Sequence, residues 1–321
     1  MAASGSKHVV VLALVANLAI AVVKFFAAAF TGSSAMMAEA VHSMADTTNQ
    51  ALLLLGIFLA KRPADENYSM GRGREPFFWG FVVSVLLFGL GGTFSIAGGL
   101  DAWANPGELH SLGPALAVLA VALVLEGWTW RAAWLEFNRG RGDRPLLQAA
   151  RDSKDSATLV VLFEDSAALA GLVIAGVGLG MAAATGDPRW DAGASIAVGV
   201  VLGVVALFLG IETRGLLIGE SASPAVREAI EKCAVRSPEV VQVHDVVTQQ
   251  TGPAEVMIGL HVEFRDGLVT DEVEGAVERL ESALRAAVPE AGHVFIEPFS
   301  SSRHKHAKQL VRRRMRRPGR P

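Results

Sequence analysis

Glu39-Ala-Val-His42-Ser-Met-Ala-Asp46-Thr-Thr-Asn49-Gln50 is the stretch on which the reading of this chain turns. It lies inside an apolar run, yet it carries two acids, an imidazole and amide groups. At about 100° per residue, a helix brings Glu39, His42 and Asp46 within roughly 60° of one another, and Asn49 follows on nearly the same side. The rest of that helix surface is Ala, Val, Met and Leu. Ionisable groups at membrane depth are costly, so they usually face a cavity or an ion path. His and carboxylate at i and i+4 can also clasp one divalent metal. A buried polar contact that fixes helix packing is the competing reading of the same residues.

Composition sets the class around this stretch. Hydrophobic residues make up 51% of the 321 residues, and the mean hydropathy is +0.37. That leaves room for a membrane domain and a small soluble one. The formal net charge of −3 names no partner. The lone Cys233 excludes an internal disulfide framework. It is expected to be a small buried apolar residue.

Six apolar spans follow in order, at residues 8–30, 34–60, 77–100, 112–134, 156–184 and 192–211. The first is too long for a signal-peptide core, holds Lys24, and leads straight into the second. Basic residues set the orientation. Lys7, Lys61, Arg62, Arg72, Arg74, Arg139, Arg141, Arg144, Arg151 and Lys154 crowd the N-terminus and the loops after spans two and four. The alternate loops hold almost none, so both termini are expected in the cytoplasm. Trp128, Trp130 and Trp134 are expected to anchor span four at the interface.

Span five repeats the anomaly of span two. Glu164 and Asp165 are adjacent acids in a run of Leu, Val and Ala. Asp165 lies about 15 Å along the helix from Asp155, and Asp46 about 20 Å from the opposite boundary at Ser33. Both depths are central. Two helices carrying buried carboxylates at one level suggest a shared cation. Glu126 in span four either joins that site or snorkels towards the interface, with snorkelling the favoured reading.

The character changes after Arg214. Residues 224–235 read as an amphipathic helix capped by Ser223, and 240–250 as a strand followed by a Thr251-Gly252-Pro253 turn. Val256, Ile258, Leu260, Val262 and Phe264 alternate as a half-buried strand. A helix over 270–288 and a strand over 293–298 complete an α-β-β-α-β order, which suits a two-layer α+β domain. His261 is expected on the exposed sheet face, with His244 and Glu297 on neighbouring strands. The domain plan is therefore 1–214 for the membrane bundle, 215–299 for the soluble domain and 300–321 for a basic, disordered tail. That tail is expected to attract anionic lipid. With no aromatic platform beside its arginines, it is not expected to bind nucleic acid.

Together these residues resemble the cation diffusion facilitators, a family of metal–proton antiporters that includes the zinc transporters. The resemblance covers residues 8–299. It rests on the run from Gly32 to Asp46, on Tyr68-Ser69-Met70-Gly71-Arg72-Gly73-Arg74-Glu75, and on the tail domain with Val243-His244-Asp245 and Thr251-Gly252-Pro253. It implies a six-helix transmembrane bundle, a cytoplasmic metallochaperone-like domain and a homodimer. The branch it looks most like is that of the mitochondrial, nuclear-coactivator-type zinc transporter.

The family's transport site uses an H/D-x-x-x-D pair from span two and another from span five. His42 and Asp46 match the first, and Asp165 matches the end of the second. Val161 stands where the remaining ligand belongs and cannot ligate. Glu164, Asn49 or a water is expected to fill that place, and Glu39 lies on the same stripe. One imidazole with carboxylates suits zinc, but also manganese, iron, cobalt or cadmium, with protons as counter-ion.

The family's loop site after span two is expected to be lost, because only Asp65 remains while Tyr68 and Arg72 replace its histidines. His244 and His261 match ligands of the family's metal site in the soluble domain, while Glu297 stands where a histidine is common and a further histidine is absent near Gly267, so a purely structural dimer domain is the equal alternative. Arg74 and Glu220 match a charge interlock between subunits. An integral membrane protein, with the bacterial inner membrane as its location, follows from this reading. The sequence carries no His-Glu-x-x-His helix, Gly-rich phosphate cradle or nucleophile elbow, so an enzyme is not expected. A membrane-bound metal sensor or scaffold that moves no ion remains the rival class.

Overall fold

A computed structural model describes residues 2–31, 34–106 and 112–299. The basic segment expected to be a tail, 300–321, lies outside the described residues, as do the side chains of Glu39 and His42. The chain divides into two compact units, Met1–Ile218 and a second beginning at Gly219.

The first unit is helical throughout. Its elements are α1 (Ala2–Thr31), α2 (Ser34–Leu59), α3 (Glu75–Leu86), a π-helical stretch (Leu87–Gly92), α4 (Thr93–Ala104), α5 (Leu112–Arg141), α6 (Leu146–Asp152), α7 (Ser156–Thr185) and α8 (Arg189–Ile218). The α3, π and α4 segments run on as one 30-residue helix, so six long helices form the bundle. Among the described residues, four stretches are long and apolar enough to cross a membrane: Ser6–Val23, Glu75–Ala104, Ser156–Thr185 and Arg189–Ile218. The other two helices, α2 with 26 residues and α5 with 30, match them in length. In α2 the polar stripe from Asp46 to Gln50 lowers the hydropathy, whereas several N-terminal side chains of α5 lie outside the described residues.

Within the bundle α1 packs on α2 and α5, α5 on α7, and α7 on α8. The core between them is built from Val10, Leu53, Leu159, Val160, Val161 and Leu209. The α4–α8 contact is closer than large side chains permit. A Cβ on Gly199 would stand 2.6 Å from Ile96 Cγ1 and 2.8 Å from the Gly92 carbonyl oxygen. Across the same seam Ser95 Oγ donates to the Ser195 carbonyl at 3.1 Å, and Ser195 Oγ donates to the Ser95 carbonyl at 3.0 Å. Small residues and hydroxyls are what helices use to associate where water supplies no hydrophobic drive.

α7 starts at a fixed point. Asp155 caps it, accepting from the Thr158 N–H at 3.1 Å and the Thr158 hydroxyl at 2.7 Å. The Ser6 hydroxyl of α1 donates to the same carboxylate at 2.5 Å. These bonds set the register of α1 against α7.

The second unit follows the α-β-β-α-β order, as α9 (Pro224–Val235), β1 (Val240–Gly252), β2 (Glu255–Phe264), α10 (Thr270–Ala287) and β3 (Ala291–Pro298). Its sheet runs β1-β2-β3, antiparallel in the first pair and parallel in the second. Val256, Ile258, Leu260 and Val262 on one face of β2 are buried against Ile230, Leu280 and Leu284 of the two helices. The period-two alternation of β2 puts all four on that face.

Candidate metal site in the helix bundle

α2 and α7 meet through their polar groups. Asn49 Nδ2 donates to Glu164 Oε1 at 2.9 Å, and Gln50 Nε2 donates to Glu164 Oε2 at 3.2 Å. Glu164 is 5% exposed and Asp165 2%. Asp46, one turn before Gln50, is half-buried, and its charge acts on both acids of α7. So the structure brings Asp46, Asn49, Glu164 and Asp165 to one place between two helices.

A third helix contributes as well. The Thr129 hydroxyl of α5 donates to the Glu126 carbonyl at 2.9 Å and lies near Asp165, and the Glu126 carboxylate acts on Asp165 and Glu164. Next to them Trp130 Nε1 donates to Ser166 Oγ at 2.9 Å. Of the two readings open for Glu126, its charge acting on both acids of α7 favours the one in which it joins the site. Glu126, Thr129 and Trp130 fall at i, i+3 and i+4, so one helical face delivers all three to α7, and that spacing was the signal that could have found it. Of the three tryptophans expected at the interface, only Trp128 is well exposed. Trp130 and Trp134 stack on each other, with centroids 5.5 Å apart, and pack against the bundle core.

Like charges gathered at membrane depth need a cation or protons to balance them. Asp165 Oδ2 and Gln50 Oε1 are buried acceptors with no hydrogen-bond partner. Among the described residues, no three His, Cys, Asp or Glu side chains converge tightly enough to hold a metal as they stand. His42 and Glu39 share the helix with Asp46, but their side chains lie outside the described residues. Val161 is fully buried in the apolar core and offers no donor.

The remaining candidates fall elsewhere. In the second unit His244 Nε2 pairs with Glu263 at 2.7 Å, and His261 Nε2 pairs with Glu297 at 3.1 Å. A register shift between Val243 and Asp245 takes His244 out of line with His261. His261 also stacks on Phe299 at 5.4 Å. Arg74 sits at the N-cap of α3 in the first unit, and the Glu220 carbonyl accepts from the Gln250 N–H in the second. In the loop before α3, Asp65 accepts from the Asn67 and Tyr68 N–H groups at 2.9 and 2.8 Å. Arg72 pairs with Asp65 at 3.5 Å and lies 4.0 Å over the Tyr68 ring. The Arg72 guanidinium thus bridges the Asp65 carboxylate and the Tyr68 ring.

A bundle of six long helices with carboxylates converging at mid-length, followed by a small α+β unit, defines a class. Residues 10–218 match the model of the cation efflux transmembrane domain, and residues 222–298 match that of the cation efflux protein cytoplasmic domain. The chain belongs to this cation efflux, or cation diffusion facilitator, family and is an integral membrane protein.

Its relatives narrow the resemblance. It is 34% identical over 268 residues to the mitochondrial proton-coupled zinc antiporter SLC30A9 of Xenopus laevis, covering 83% of this chain and 48% of the relative. A metal tolerance protein of Arabidopsis thaliana is 30% identical, over 82% of this chain and 58% of its own length. The cation-efflux pump FieF of Klebsiella pneumoniae is 25% identical, over 81% and 84%. The chain spans about half the length of the zinc antiporters it matches.

Proposed function

We propose that this protein exchanges a divalent metal cation for protons, exporting zinc or a related transition metal from the cytoplasm by alternating access. The convergence of Asp46 with Glu164 and Asp165 at one buried level carries this reading. The names of the relatives support zinc as cargo and protons as counter-ion. In the inward-facing state, ionised Asp46 and Asp165 with neutral His42 bind the cation. Ligands must shed protons to bind metal, so loading releases protons. Rocking of the bundle exposes the site outside, where protons compete for the same groups and displace the metal. Their return resets the carrier. The protein acts as a carrier in this scheme and not as an enzyme.

The second unit serves as the dimer-forming and regulatory domain of a homodimer. Its His244, His261 and Glu297 form a weak metal site whose ligands are now paired with acids or already acidic. The basic segment 300–321 draws anionic lipid at the cytoplasmic face, and the bacterial inner membrane is the setting that fits.

Purified protein in liposomes with a metal-sensitive dye tests the proposal. Zinc should enter with an opposing proton flux, and Asp46→Ala and Asp165→Ala should each abolish uptake. Normal flux in both variants would refute the site. Binding without flux would favour the sensor class. Competition among zinc, manganese, iron, cobalt and cadmium in the same assay ranks the cargo.

A further inference from the structure

Glu164 is gripped from α2 by two amides, one on each carboxylate oxygen. Gln50 is fully buried and Asn49 is 6% exposed, so neither bond competes with water. Gln50 uses only its NH2 here, on Glu164, and its Oε1 is buried without a partner, as is Asp165 Oδ2. Meanwhile Val161, one turn before Asp165, is an apolar core residue. The face of α7 that should hold a second donor is filled with hydrocarbon, and Glu164 is the next acid along.

We propose that Gln50 and Asn49 are positioning residues, bracing Glu164 so that it supplies the α7 donor that Val161 cannot. This inference rests on the transport reading above. Its consequence is a site of three carboxylates and one imidazole, braced across the α2–α7 seam. Such an oxygen-rich set accepts manganese more readily than a site with two imidazoles does. Gln50 is uncharged and touches no cargo in this scheme. It acts only by holding Glu164 in place.

A double-mutant cycle on the full chain tests it, with Zn2+ and Mn2+ as probes. Affinity is read by competition with a chelating dye in detergent, and uptake into liposomes gives KM and maximal rate. Gln50→Leu should weaken zinc binding and raise KM by about tenfold, with a maximal rate within about threefold of the parent. In a Glu164→Gln background the same substitution should change affinity by less than about twofold, because the group it braces is gone. No effect in the native background, or an equal effect in both, overturns the bracing role and makes Gln50 a packing residue. Should Gln50→Leu fail to fold, Gln50→Met, which keeps the length and removes the amide, takes its place with the same two outcomes. Coupled binding without flux would leave the brace standing and remove the transport reading. A parent protein that binds neither ion would remove both.

Discussion

Glu164 and Asp165 are neighbours in sequence with different company. Glu164 accepts one amide hydrogen bond from α2 on each oxygen, whereas Asp165 keeps one buried oxygen unpartnered. Asp46 and Asp165 were legible because an acid in an apolar run has no bland role that costs little. Gln50 was not, since an uncharged amide leaves no mark on hydropathy, and its role exists only through a partner 114 residues away. Glu126 stayed open to two readings because distance from a helix end says nothing about the face a side chain occupies. At this scale one further bond can be weighed. Ser6→Ala removes a buried hydroxyl that donates to the Asp155 carboxylate. The loss should destabilise the bundle by about 1.5–3 kcal/mol, the range for hydrogen bonds to charged groups. A lowered midpoint in detergent unfolding checks this; an unchanged midpoint would mean that water replaces Ser6.

Element boundaries followed from apolar run lengths, and the spans expected at 34–60 and 156–184 appear as Ser34–Leu59 and Ser156–Thr185. Two features escaped. α6 has only seven residues and sits in a loop rich in Arg, Gly and Pro, so no periodicity betrays it. The π-helical stretch Leu87–Gly92 widens a helix without altering its apolar character. The seam of α4 and α8 makes a firm prediction. Gly199→Val would drive a branched side chain into Ile96 and the Gly92 carbonyl, costing about 1–3 kcal/mol or more. A lowered melting temperature with intact helical circular dichroism is the expected readout.

The loop before α3 makes another prediction. The Tyr68 N–H, aided by the Asn67 N–H and Arg72, holds the Asp65 carboxyl below its ordinary range. A depressed carboxyl stabilises its surroundings at neutral pH and loses that effect as pH falls through the lowered value. Tyr68 is the only tyrosine in the chain, so a single ring-labelled NMR signal reports the loop. That signal should stay put from pH 7 to about pH 4 and move only below it. Movement at pH 5 to 6 would contradict the pairing.

For the whole molecule, the plan of a membrane unit followed by an α+β unit was legible from one composition change after Arg214. What pattern could not supply was the strand pairing. Parallel β2–β3 and the register shift near His244 depend on contacts far apart in sequence, and they decide that His244 meets Glu263 while His261 meets Glu297. The second unit carries its own core, so residues 219–299 expressed alone should melt cooperatively. Leu280→Ala, emptying a fully buried site between helix and sheet, should then cost about 2–5 kcal/mol. A fragment without a cooperative transition would show that this unit needs the rest of the chain.

The central claim is that α2 and α7 jointly hold a travelling divalent ion. Anomalous diffraction at the zinc edge, from crystals of the zinc-loaded protein, tests it directly. The account predicts a peak between the two helices, about 2.0–2.2 Å from carboxylate oxygens of both Asp46 and Asp165. A zinc-loaded protein whose only peaks lie at His244, His261 or elsewhere outside the bundle would contradict it.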